Sequence, residues 1–153
     1  MKPLTDFSKK VNVKLVLDQR LIVEKAGRFF LLNKKLLGIT RRDFFYAGKY
    51  LGKSKKHKFF PSFTMLAMLA ETKANKVIVD EKAAWLFICG RDIFDKRIIG
   101  VHGSKKRGDF TLVLNELGEC LGFGRIARNL DTDDGGVAVK NVSDLGDFLR
   151  REE

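Results

Sequence analysis

From Ile98 to Val139 the chain is cut into short apolar runs, Ile98–Val101, Phe110–Asn115, Glu119–Ala127 and Gly136–Val139, with Gly103, Gly108, Gly118 and Gly135 between them. None of the runs supports an ordinary helix of three or four turns. The glycines supply the backbone freedom that tight turns require. The expected outcome is a set of short strands closing into a small barrel. Ahead of it, Lys76–Asp80 reads as a strand, Glu81–Gly90 as a short apolar helix stopped by glycine, and Asp92–Lys96 as a further helical turn. Behind it, Ser143 is placed to cap a last helix with Leu145, Phe148 and Leu149 on one face, and Arg150 and Arg151 suit the negative end of its dipole.

The first half carries a different pattern. Val11 to Leu17 alternates weakly, and Arg20–Glu24 and Arg28–Leu32 flank Ala26-Gly27 as a hairpin. Lys34–Thr40 is long enough for one helical turn. Asp43–Leu51 and Lys58–Phe63 form a second strand pair around a lysine-rich turn. Ser62 precedes the apolar stretch Phe63–Ala70 and is placed to cap a helix running to about Lys73. Met65, Leu66, Met68 and Leu69 on that helix read as core. A short linker at about Glu71–Lys76 divides the chain into expected domains of residues 1–75 and 76–153.

Charge separates the halves as sharply as pattern does. Residues 1–75 hold 17 basic and 5 acidic side chains and the remainder 13 and 14, so the whole net charge of +11 is N-terminal. Its densest piece is Lys49–Lys58, KYLGKSKKHK, which contains Lys53, Lys55, Lys56 and Lys58 and no acid, bracketed by Phe44, Phe45, Tyr46, Phe59 and Phe60. A polyanion is the natural partner. The glycines and apolar pairs around the run read as strand, turn, strand rather than as an amphipathic helix, which disfavours a membrane surface. In the second half Arg91, Arg97, Lys105, Lys106, Arg107, Arg125, Arg128 and Lys140 sit at strand or turn edges, where a long cationic side chain reaches phosphate.

Several function classes are thinly supplied. With two histidines and two cysteines 31 residues apart, Cys89 and Cys120, the inventories for a zinc site or a Ser/His/Asp triad are nearly empty, and both thiols read as buried and reduced. Gly122-Phe-Gly124 lacks the third glycine of a dinucleotide loop, so its glycines are expected to allow a close backbone approach. Asp131, Asp133 and Asp134 lack the glutamate that completes a calcium loop and read as a solvated turn. The sole tryptophan, Trp85, reads as a packing residue of its helix. The longest uncharged run, Phe59–Ala70, is too short to span a bilayer as a helix, and Met1–Lys10 has no apolar signal core, so an unexported, cytoplasmic protein is expected. No metal, cofactor or catalytic site is expected.

The segments Lys76–Ile99, Gly108–Arg128 and Gly136–Asn141 strongly resemble the PUA domain, a pseudo-barrel named after pseudouridine synthases and archaeosine transglycosylases. The most specific features are the strand and helix ending in Gly90-Arg91-Asp92, the Gly-x-Gly-Arg strand and the closing Val-Ala-Val-Lys strand. Met1–Asp6, Gly52–Phe60 and Ser143–Glu153 are similar to the Nip-seven family of large-subunit ribosome-biogenesis factors in its compact archaeal form. The resemblance implies an α+β chain: an N-terminal α/β domain with a mainly antiparallel sheet, followed by a PUA mixed-β pseudo-barrel. It also implies a non-enzymatic factor that binds precursor ribosomal RNA, with a preference for uridine-rich single strands, and that associates with pre-ribosomes and the exosome. The family's basic contact surface falls on Arg125, Arg128 and Lys140. The N-terminal helix of longer members is expected to be short or absent. The resulting RNA-contact set is Lys53, Lys55, Lys56, Lys58, Arg91, Arg125, Arg128 and Lys140. The alternative is an RNA-binding subunit that presents tRNA or rRNA to a modification enzyme.

Overall fold

The computed structural model describes residues 1–39, 44 and 46–151. They form an α+β fold with two sheets. Sheet A is an antiparallel meander of β1 (Ile22–Lys25), β2 (Arg28–Leu31), β3 (Lys49–Lys55) and β4 (Lys58–Pro61). Both expected hairpins are present, although most of the expected start of the second at Asp43 lies outside the described residues. The lysine-rich turn is a two-residue connection in which Lys56 and His57 both take positive φ, 48° and 62°. That geometry matches the twist of the flanking strands.

Sheet B holds β5 (Lys76–Val79), β6 (Ile93–Phe94), β7 (Ile98–His102), β8 (Phe110–Leu114), β9 (Cys120–Ile126) and β10 (Val137–Asp144). Their order is β6-β10-β9-β8-β5-β7, antiparallel except for β5 beside β8, and the sheet curls into a half-barrel. The strands expected from the glycine-punctuated runs are all there. Asp92–Lys96, expected as a helical turn, instead enters sheet B as β6 before a single 3-10 turn at Asp95–Arg97.

Among the described residues, five α-helices accompany the sheets: α1 (Lys2–Lys10), α2 (Lys34–Ile39), α3 (Phe63–Ala70), α4 (Glu81–Ile88) and α5 (Leu145–Arg151). The N-terminal helix is therefore present over nine residues, with proline in its first turn and Leu4, Phe7 and Ser8 buried at helical spacing. Ser62 caps α3 as expected, its Oγ accepting from the Met65 amide at 3.1 Å. Asp144, not Ser143, caps α5, accepting from the Asp147 amide at 2.8 Å, because β10 runs on through Asp144 and the helix begins only at Leu145.

The main core contains Leu4, Phe7 and Val11, Phe29 and Leu51 of sheet A, Met65, Leu66 and Leu69 of α3, and Leu112, Leu114 and Phe123 of sheet B. The other face of sheet B buries Val77, Val79, Val113 and Val139 against Ala83 and Phe87 of α4. That stripe explains two departures from expectation. Ala83 and Phe87 lie one turn apart, so Trp85 falls on the far side of the helix and is 65% exposed. Cys89, following the last turn, is exposed as well.

Cys120 is the sheltered thiol, and burial pushes it up to about 11. At pH 8 a disulfide reagent should therefore modify Cys89 quickly and Cys120 only on unfolding, and Cys89→Ser should remove the fast phase. Two fast thiols in the native protein would contradict this packing. A second test concerns Asp80, which accepts from the Ala83 amide at 2.8 Å and from Arg97 at 3.2 Å. Chiefly the amide, with Arg97 aiding, holds its carboxyl below the usual range. Asp80→Ala should cost about 1 kcal/mol at pH 7. Because the folded-state pKa is the lower one, this contribution is full above about pH 4 and disappears as pH falls through it, so urea unfolding of the two proteins should converge in acid.

Candidate nucleic-acid interface

On sheet B, Phe110, Arg125 and Lys140 are direct cross-strand partners on β8, β9 and β10, which places all three side chains on one face. Arg125 Nε donates to the Gly108 carbonyl at 3.0 Å, and its guanidinium lies 5.9 Å from the Phe110 ring. Lys10 Nζ, from the last turn of α1, lies 5.5 Å from the same ring. Two cations from opposite ends of the chain thus converge on one aromatic, with a third, Lys140, beside them. The row depends on the close packing of β9 and β10. A Cβ on Gly122 would stand 2.1 Å from the Ser143 carbonyl oxygen, and one on Gly124 would stand 2.5 Å from that of Lys140. The Gly-Phe-Gly segment is therefore what lets the backbone of β10 approach β9 closely on both sides of the register shift between Asn141 and Ser143, with Lys140 alongside Arg125.

On sheet A the hairpin holds Lys55, Lys56 and Lys58 exposed and Lys53 half-buried. Lys55 pairs across with Lys58, and Lys53 lies between Arg28 on β2 and Phe60 on β4. The hairpin thus gathers all four sequence-expected lysines at one end of one sheet.

Arg91 and Arg128 stand apart from these groups. Arg91 is exposed just beyond α4, where its carbonyl accepts from Asn141 Nδ2 at 3.5 Å, on the side of β10 opposite Lys140. Arg128 is held by a short ion pair with Asp95 and donates to the Gly135 carbonyl at 2.7 Å, with 21% of its side chain and 10% of that of Asp95 exposed. Arg97 and Lys105 are paired with Asp80 and Asp131. A cavity of about 280 Å³ beside β7 is lined by the apolar Ile98, Ile99, Val101 and Leu130 with Asp95, Asp131 and Asp133, and has no cation in its lining. Among the described residues no group of three or more His, Cys, Asp or Glu is placed to hold a metal ion, and no helix is long and apolar enough to cross a membrane.

The sequence reading missed Lys10, Arg28 and Phe110. Lys10 closes a helix that was not expected, and Arg28 and Phe110 acquire their cationic neighbours only through strand register.

Comparison with known proteins identifies the fold and the family. A UPF0113 protein from Archaeoglobus fulgidus is 30% identical over 114 residues, 71% of this chain, and the chain spans 63% of that relative's length. The structure of a conserved PUA domain protein from Thermoplasma acidophilum matches 99% of this chain and 92% of its own at a TM-score of 0.65 and 18% identity. A PUA domain from Aeropyrum pernix is 26% identical at a TM-score of 0.52, over 61% of this chain and 55% of its own. Residues 75–153 match the model of the UPF0113 PUA domain, and through them the chain belongs to that family.

Proposed function

We propose that this protein is a non-catalytic RNA-binding factor of large-ribosomal-subunit assembly that holds uridine-rich single-stranded segments of precursor ribosomal RNA. PUA domains are generally RNA-binding and typically carry no catalysis. The observation that carries the reading is the convergence of Lys10 and Arg125 on Phe110, with Lys140 cross-strand from Arg125, which joins both halves of the chain in one cationic, aromatic row. The lysines of the β3–β4 hairpin add attraction through counterion release, and the sheet B row adds preference for an unpaired strand. Arg128, tied to Asp95 and Gly135, holds the end of β9 in position behind the row, and Arg91 extends the basic surface around β10. The resemblance of the N-terminal segments supports the assembly role and the exosome as a partner.

The exposed Trp85 and Leu86 of α4 lie across sheet B from the cationic row. They favour a protein partner, which also suits a second reading in which the chain presents tRNA or rRNA to a modification enzyme. Recovery of a stable complex with such an enzyme would select that reading.

Binding of labelled oligouridine, oligoadenosine and duplex RNA over a salt series tests the proposal. Replacing Lys53, Lys55, Lys56 and Lys58 with glutamine should weaken all three RNAs and lower the single-strand salt slope by about 0.7 per lost phosphate contact. An unchanged slope would reject phosphate contact by the hairpin. Arg125→Ala with Lys140→Ala should reduce discrimination among the RNAs with little change in stability, whereas equal loss on all three would count against a selective row. Arg128→Ala should instead cost about 2 kcal/mol of folding stability, by leaving Asp95 unpaired in a half-dry site. Thermal unfolding separates the two variants.

A further inference from the structure

Sheet A has two unlike faces. Phe29, Leu51 and Phe59 belong to the main core and its margin. The alternate positions, Lys25 on β1, Arg28 on β2, Lys53 and Lys55 on β3, and Lys58 and Phe60 on β4, are cross-strand neighbours on the opposite face. These strand positions contribute five cations and no carboxylate, since Glu24 pairs with Phe29 and so belongs to the core side. Aromatic rings stand among the cations. Phe60, cross-strand from Lys53, is 36% exposed. Farther along the sheet, Phe30 and Tyr50 lie side by side at 5.6 Å and carry the ring of Tyr46 at 5.3 and 6.2 Å, leaving Tyr46 60% exposed. The rise of β3 from Lys53 to Tyr50 sets the two exposed rings roughly 10 Å apart along the sheet.

We infer that this face is a base-stacking platform for single-stranded RNA, with Phe60 and Tyr46 each receiving one base and Arg28, Lys53 and Lys58 holding the phosphates between them. The inference rests on the RNA-binding reading and assigns sheet A a share of strand selection beyond simple attraction. A lysine-rich hairpin alone would treat every polyanion alike. Exposed rings set among cations favour a ligand that presents flat apolar faces and negative charges in alternation, and unpaired nucleotides do so. In a duplex the bases are stacked on one another and their faces are out of reach. An acidic protein surface would use the cations and gain little from the rings.

The test compares a labelled 12-mer of oligouridine, an RNA duplex of equal length and polyphosphate of matched charge, all on the full chain. Phe60→Leu and Tyr46→Leu should each weaken oligouridine about tenfold while leaving duplex, polyphosphate and the salt slope unchanged. Parallel loss on all three ligands, or no loss on oligouridine, would overturn the platform while leaving RNA binding intact. Wild-type protein that binds neither RNA would instead overturn the RNA reading itself. Phe60→Trp in a Trp85→Phe background keeps a stacking ring and makes it the sole tryptophan, excited at the red edge where Tyr46 and Tyr50 do not absorb, so the test does not depend on ring deletion. Its emission should be quenched by oligouridine and not by polyphosphate, and equal response to both would contradict stacking.

Discussion

Five phenylalanine rings run through the molecule in sequence of contact: Phe29 to Phe59 at 6.0 Å, Phe59 to Phe7 at 6.0 Å, Phe7 to Phe123 at 5.0 Å and Phe123 to Phe110 at 6.1 Å. They lead from β2 and β4 of sheet A, through α1, to β9 and β8 of sheet B. Each such contact adds roughly 0.5–1.5 kcal/mol to the burial of the rings. More depends on them than stability. With Phe59 turned into the core, strand alternation turns Lys58 and Phe60 outward. With Phe123 against Phe7, Phe110 lies at the end of α1, within reach of Lys10. The chain of rings therefore sets the direction of both cationic surfaces.

The electrostatics follow from the same arrangement. Five of the seventeen N-terminal cations stand on the face of sheet A turned away from the main core, and another, Lys10, joins the row of sheet B. The second half is nearly neutral in composition, and its Arg97, Lys105 and Arg128 are paired with Asp80, Asp131 and Asp95. Those pairs hold loops and strand ends in place. Arg125 and Lys140, with no carboxylate among their direct cross-strand partners, retain their charge for an external anion.

Much of this was legible in the sequence because the signals are local. The short apolar runs between glycines became strands of sheet B, Ser62 caps α3, and the glycines of Gly122-Phe-Gly124 serve a close strand approach. The misses are of another kind. Burial of Trp85 was expected from its apolar neighbours, but α4 has a single buried stripe and Trp85 is half a helical circumference from it. Lys10 and Phe110 are a hundred residues apart, and only the packing of α1 on β9 makes them neighbours. Arg125 and Arg128 look alike as basic residues at strand edges. Their difference lies in Asp95, which reaches Arg128 through a fold contact that no spacing reveals. Periodicity identifies elements, whereas a site assembled from several elements depends on register and long-range packing.

Amide chemical-shift mapping of the full chain during titration with oligouridine tests the central claim most directly, because it reports every surface at once. The account predicts perturbations in two groups, one at Arg28 and Lys53–Phe60 and the other at Lys10, Phe110, Arg125 and Lys140, saturating together as one strand engages both. Perturbations gathered on α4 around Trp85, with both cationic surfaces silent, would contradict it.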